Sequence, residues 1–433
     1  MADSRPERPD DSNPPDRPDR PSGGERPEDP ELVAAECEGA IDLRVDVGVV
    51  VAHAPDTDPD DLRSFARRAA GDAVEELASA TDVTWRFYLE DSTRLADHDR
   101  RRPSEFLDRA THRMVEGPYD AVVVVTDVPL ISRRERVVPG LASPLSRVAV
   151  VSTRPLRRAR RGRPRYALDG APVRWNAATL VVHLVGHVLG ARHREGGGVM
   201  DRFRFDPDRR EVPPFDADVE ASLHRLAGEI PASEIRPRGP LSRLAFHAGS
   251  AVRNSRMVGR ALLDSRAPLL PLSLPKLSTA AVTPTLVIVF SAESWDVGFH
   301  MGNPTAALFA ATSVLVAALY LLFAQNLQFP RKRHRIVTEH TALVNVTVFL
   351  VLVLAMAGLF TLVWAIILVI ELVVFPPNLM GNWPSLEDPS VGLADLVRTG
   401  AFISTIGVLS GALAGGLESR TIVSHLTLFL DRP

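Results

Sequence analysis

Between Ala178 and Met200 the chain reads ATLVVHLVGHVLGARHREGGGVM, and its three histidines are spaced for metal chemistry. His183 and His187 stand four apart in an apolar stretch that predicts a helix, so their rings stack on one face and can share a metal ion. Gly190 can end that helix with a positive φ, and the reversal brings His193 back toward the same point. Met200 follows the triplet Gly196–Gly198, which predicts a tight turn beneath the site. A lone pair of histidines at helical spacing is usually structural; the third histidine, the intervening glycine and the methionine make this pattern specific. The others (His53, His98, His112, His224, His247, His300, His334, His340 and His425) are scattered and predict no chemistry.

The order H-x-x-x-H-x-x-G-x-x-H followed by a methionine resembles the metzincin metallopeptidases, whose fuller motif is H-E-x-x-H-x-x-G-x-x-H with a Met-turn. Within that group it is most similar to the archaemetzincin branch, in which the methionine comes soon after the third histidine. The runs VVVTDVPL (Val123–Leu130) and VAVVSTRPL (Val148–Leu156) are similar to that branch's sheet, and the resemblance spans roughly residues 43–227. It implies an α/β metzincin-like soluble domain (a helix-covered mixed sheet), one zinc held by His183, His187 and His193, and Met200 as the Met-turn residue.

Two departures bear on activity. The family's catalytic glutamate directly follows the first histidine, and here that residue is Leu184. In zinc peptidases this carboxylate carries a proton from the attacking water to the leaving amine, which leucine cannot do. The branch's cysteines after the third histidine, which build a second zinc site, are replaced by Arg194 and Glu195. Glu195 and Asp201 are the candidate substitute bases. The expectation is a membrane-anchored, zinc-binding but catalytically degenerate domain with a binding or regulatory role at the membrane, a peptide or protein ligand being among its candidate partners. The alternatives are an active peptidase with a displaced base, or a membrane bundle carrying a relic soluble domain. With imidazole ligands, metal affinity is expected to fall as pH drops through about 6.5.

Upstream elements must position these residues. Leu43–Ala52, Val83–Leu89, Tyr119–Thr126 and Arg147–Ser152 predict strands, valine-rich as in a sheet covered on both faces. Pro59–Ala80 and Pro103–Val115 predict intervening helices, and the alternation predicts an α/β layer fold over residues 37–235. Residues 1–36 carry eight prolines, eleven acids and five arginines, and predict a disordered tail that also lacks the form of an export signal. The net charge of −3 excludes a globally basic nucleic-acid binder, and the single cysteine, Cys37, excludes disulfide frameworks and cysteine-rich metal sites.

The last 130 residues differ in kind. Thr305–Ala324, Thr341–Phe375 (interrupted only by Glu371) and Thr399–Leu417 are long enough to span a bilayer, and Leu277–Ala292, broken by Pro284, predicts a fourth span. Glu371 stands alone, which argues against a proton-coupled transporter. Ahead of them, residues 236–268 carry seven arginines against one acid, Asp264, and predict one basic amphipathic helix partnered by anionic lipid headgroups, with a solvated helix packed on the α/β domain as the alternative. Four spans put this stretch and Arg331, Lys332, Arg333 and Arg335 on one side, giving an integral membrane protein with a cytoplasmic soluble domain. Three spans would export the domain. Gly407, Gly411 and Gly415 form a small-residue stripe that predicts packing inside the bundle, with homo-oligomerisation as the alternative.

Overall fold

The computed structural model describes residues 31–34, 44–81, 83–117, 119–132, 135–158, 164–196, 198–227, 234–235, 239–328, 337–374, 391–415, 425 and 428–429. The soluble part is built on a mixed sheet. Its central strands β2 (Arg44–His53), β3 (Thr84–Leu89), β5 (Ala121–Thr126) and β9 (Val148–Ser152) run parallel in the order β3-β2-β5-β9. Antiparallel strands close both edges: β1 (Glu31–Ala34) on β3 and β8 (Gly140–Ser143) on β9. The short β4 (Thr93–Arg94) extends β2, and β6 (Leu130–Ile131) pairs with β7 (Val137–Val138) in a separate hairpin.

The valine runs serve both faces because a strand alternates its side chains. Val45, Val47, Val49 and Val51 of β2 point with Val123 and Val125 of β5 into one core, under α1 (Pro59–Thr81), α4 (Ala171–Val188) and α5 (Ala217–Ala227). Val50, Val122, Val124, Val148 and Val150 point the other way, toward α2 (Leu107–Glu116) and an apolar cluster continuous with the helical half. The short α3 (Thr153–Leu156) leads from β9 toward α4.

The strand Glu31–Ala34 corrects the expectation of a wholly disordered 1–36. Its backbone pairs with Leu89–Arg86, Val33 packs near Gly71 of α1, and Glu31 pairs with Arg67. Sheet-edge hydrogen bonds need no apolar run, so composition did not reveal it. Residues 1–30 and 35–36, like Cys37, lie outside the described residues.

The helical half begins with α6 (Pro240–Arg253) and α7 (Ser255–Ser265), then a 3₁₀ stretch, Ala267–Ser273. The single basic helix expected over 236–268 is therefore two helices. Asn254, at φ −104° and ψ 29°, breaks it, and its side-chain amide donates to Ser250 O at 3.0 Å. α8 (Pro275–Ile288) and α9 (Ala292–His300) follow, bent 91° at the break between them. Pro284 sits inside α8 without ending it.

Three further helices, α10 (Asn303–Ala324), α11 (Glu339–Val373) and α12 (Leu393–Gly415), are long and apolar enough to cross a membrane, and the bent α8–α9 pair could add a fourth crossing. At 1.5 Å per residue α11 is about 52 Å long, well beyond a hydrocarbon core of about 30 Å. α12 packs on α8, α10 and α11. A β-carbon on Gly407 would lie 2.6 Å from Thr285 Cγ2, and one on Gly411 would lie 2.9 Å from Ala281 Cβ, so both glycines let α8 approach. Gly415 ends α12. Arg398 reaches from α12 to the carbonyls of Gly298 and Phe299 at 3.1 and 3.0 Å, pinning the last turn of α9.

The two halves meet at the start of α11. Glu339 accepts from Asn254 Nδ2 at 3.0 Å and pairs with Arg253 at 3.5 Å. Half-buried Arg147, at the foot of β9, lies within electrostatic reach of Asp120 and Glu339. Strand β10 (Glu234–Ile235) also pairs with β11 (Val337–Thr338), just ahead of α11. Residues 331–335 lie outside the described residues.

Candidate metal centre

α4 carries the first two histidines in its last turns, on the face covered by the chain that follows. Its C-terminus is a Schellman turn: Ala191 N donates to Gly186 O and Gly190 N to His187 O, each at 2.9 Å, with Gly190 at φ 98°. A left-handed residue costs a side chain dearly but not glycine. The reversal returns His193 to the helix, and the ring centroids of His187 and His193 lie 4.5 Å apart.

The same turn sets a tautomer. His187 Nδ1 donates to the carbonyl of Ala191 at 2.8 Å, and His183 Nδ1 donates to the carbonyl of Val199, also at 2.8 Å. A carbonyl only accepts, so both Nδ1 atoms carry the proton and both Nε2 atoms present lone pairs. Those lone pairs face each other 3.1 Å apart, and His187 Nε2 lies 3.3 Å from His193 Nε2. Two unprotonated nitrogens at that distance repel unless a cation lies between them.

The dimensions fit zinc. Tetrahedral bonds of about 2.0–2.1 Å put neighbouring ligand nitrogens about 3.3–3.4 Å apart. The ligand atoms of His183, His187 and His193 all lie within 4.8 Å of one another, and the cluster is compatible with a single zinc site. Backbone carbonyls bonded to the far ring nitrogen are a common way to orient such ligands. His183 and His187 are buried while His193 is exposed, so the cluster opens to solvent on one side. Burial pushes the imidazole of His183 down to about 4 and that of His187 down to about 3. Both are therefore neutral, as metal ligands must be, far below the pH of about 6.5 expected from unperturbed histidine.

Met200 lies in a turn closed by Asp201 N donating to Gly198 O at 3.1 Å. Its sulfur occupies the notch left by Gly186, the residue just before His187: a β-carbon there would come within 2.7 Å of Sδ. This places the methionine under the helix, and the neighbouring Val199 carbonyl is the one that orients His183.

Leu184 is fully buried and packs on the edge strand β8. A β-carbon on Gly140 would meet its Cδ1 at 2.7 Å. Neither Glu195 nor Asp201 belongs to the ligand cluster. Glu195 is exposed, and Asp201 Oδ1 accepts from Gly196 N at 3.1 Å while its charge reaches His183. Sequence reasoning missed the carbonyls of Val199 and Ala191 because backbone acceptors leave no residue signature.

No protein-family model and no curated protein matches the chain. Among solved structures it is similar to an archaemetzincin from Methanopyrus kandleri, at 22% identity and a TM-score of 0.33, covering 43% of this chain and 96% of that one. A zinc-dependent peptidase from Methanocorpusculum labreanum is 18% identical, with a TM-score of 0.30 and coverage of 41% and 100%. An archaemetzincin from Archaeoglobus fulgidus complexed with malonate is 17% identical, with a TM-score of 0.27 and coverage of 40% and 99%.

Proposed function

We propose that this chain is a membrane-anchored, zinc-holding domain that binds a peptide or protein ligand and does not hydrolyse it. His183, His187 and His193 hold the ion, and Met200 supports the helix that presents two of them. A zinc bound by three imidazoles supplies a Lewis acid with an open position, suited to accepting a carbonyl or carboxylate oxygen.

The observation that carries the non-hydrolytic reading is Leu184. It occupies the position after the first histidine with an apolar side chain packed on Gly140, so the proton relay that peptide cleavage needs has no carrier there. General acid–base help is typically worth about 10²–10⁴ in rate. Asp201 is tied to the Gly196 amide and Glu195 points to solvent, which supports neither as a substitute.

The helices α10, α11 and α12 anchor the domain, with the α8–α9 pair crossing as a broken fourth span. That count leaves the zinc domain and both arginine-rich stretches in the cytoplasm. Incubation of the full-length, zinc-loaded protein with unstructured peptides tests the reading. Retention of intact peptide, lost on His187→Ala, is the expected result. Zinc-dependent cleavage abolished by Glu195→Gln or Asp201→Asn would replace it with an active peptidase using a displaced base.

A further inference from the structure

The exposed face of α6 is apolar. Leu241, Leu244, Ala245, Ala248 and Val252 recur at positions i, i+3, i+4, i+7 and i+11, and all are exposed. Leu241, Leu244 and Val252 are 80%, 68% and 75% exposed. The opposite side carries Ser250, fully buried, and α6 packs on α11. This inverts the pattern of a helix lying on a soluble core, which turns its apolar stripe inward.

The level of α6 is also fixed. Its C-terminal elbow, Asn254, bonds to Glu339, two residues before the apolar run of α11 begins at Thr341. Beyond the elbow, α7 exposes Arg256 and Arg260 one turn apart, with Leu263 a further turn along the same side. Arg243 is exposed on α6. None of these three arginines has an acidic partner among the described residues, whereas Arg253 is paired with Glu339. A contiguous apolar stripe in water is an aggregation hazard, but at a bilayer surface it is solvated while arginine side chains snorkel to the headgroups.

We propose that α6 and the start of α7 form an interfacial element that inserts the Leu241–Val252 stripe among acyl chains and binds anionic phospholipid through Arg243, Arg256 and Arg260. Charge complementarity and continuity with the apolar run of α11 select this occupant. A second copy of the chain would set seven arginines of residues 236–268 against seven more. The inference rests on the membrane-anchored reading and adds a lipid class and its binding residues.

The test uses the full chain with Cys37→Ser and single labelling sites at Leu244→Cys or at Leu308→Cys, an exposed position of α10. Each protein, carrying an environment-sensitive fluorophore, is placed in nanodiscs containing spin-labelled phosphatidylglycerol or spin-labelled phosphatidylcholine. Both labels should be quenched, and the one at 244 should be quenched more by phosphatidylglycerol. Arg243→Gln with Arg256→Gln and Arg260→Gln should lower that preference by about tenfold or more, with quenching at 308 unchanged. An unquenched label at 244 beside a quenched one at 308 would overturn the proposal, as would equal quenching by the two lipids. An unquenched label at 308 would refute the membrane anchor itself.

Discussion

His183 and His187 turn unprotonated Nε2 atoms toward each other across 3.1 Å, because each ring spends its Nδ1 proton on a backbone carbonyl. Without a cation this arrangement is repulsive and buried. Zinc removal should therefore loosen the last turns of α4 and the 190–200 segment more than the sheet. Hydrogen exchange with and without chelator checks this, and faster exchange at Val185–Val188 is the expected outcome.

The pH dependence has a definite sign. Both imidazoles are depressed in the fold, to about 4 and about 3, whereas in the unfolded chain they titrate near 6.5. Above about 6.5 neither state is protonated there and no stability is lost. Below it the unfolded state binds more protons, so stability falls progressively as pH drops from about 6.5 toward 4. Thermal unfolding of the detergent-solubilised full chain should show this loss. His183→Gln should reduce it, and a slope unchanged by that substitution would contradict the burial.

Gly190→Ala should cost more in metal affinity than in stability. The φ of 98° disfavours any β-carbon, by roughly 1–2 kcal/mol in the left-handed region. Relaxing that strain moves both the Ala191 carbonyl and His193. Zinc titration against a competing chelator should show weakened binding, with the far-ultraviolet spectrum retained.

Leu184 distinguishes packing from chemistry. Leu184→Ala leaves a cavity between α4 and β8 and should destabilise by about 2–5 kcal/mol without changing peptide turnover. Leu184→Glu adds a carboxylate where Gly140 and the aliphatic wall now pack, so it should also destabilise. Because it restores the missing proton carrier, it should raise zinc-dependent cleavage above the level of the natural protein. Denaturant melts and peptide assays on the two variants separate these effects.

The glycines of α12 are read by size. Gly411→Leu must push α8 away, since even a β-carbon would stand 2.9 Å from Ala281. The bundle should lose thermal stability with no change in oligomeric state. A change of oligomer size in detergent would point to an interface between copies instead.

Much of this architecture was legible in residue order. Valine runs gave the parallel strands, and charge-free runs gave α10, α11 and α12. The left-handed turn followed from Gly190 standing three residues after His187 and three before His193. Other features depended on backbone partners or on neighbours distant in sequence. The edge strand Gly140–Ser143 has no valine run to mark it, and only its pairing with Val148–Val151 makes it a strand. The elbow at Asn254 is set by Ser250 and by Glu339, 85 residues away. Periodicity identified the apolar stripe of α6 but could not say that it faces outward.

The central claim is one zinc ion on three imidazoles, and X-ray absorption at the zinc edge of the purified full chain tests it most directly. The account predicts stoichiometric zinc with three histidine nitrogens at about 2.0–2.1 Å, no sulfur ligand, and loss of that signature in His187→Ala. Absence of stoichiometric metal at neutral pH, or a zinc signature unchanged by His187→Ala, would contradict it.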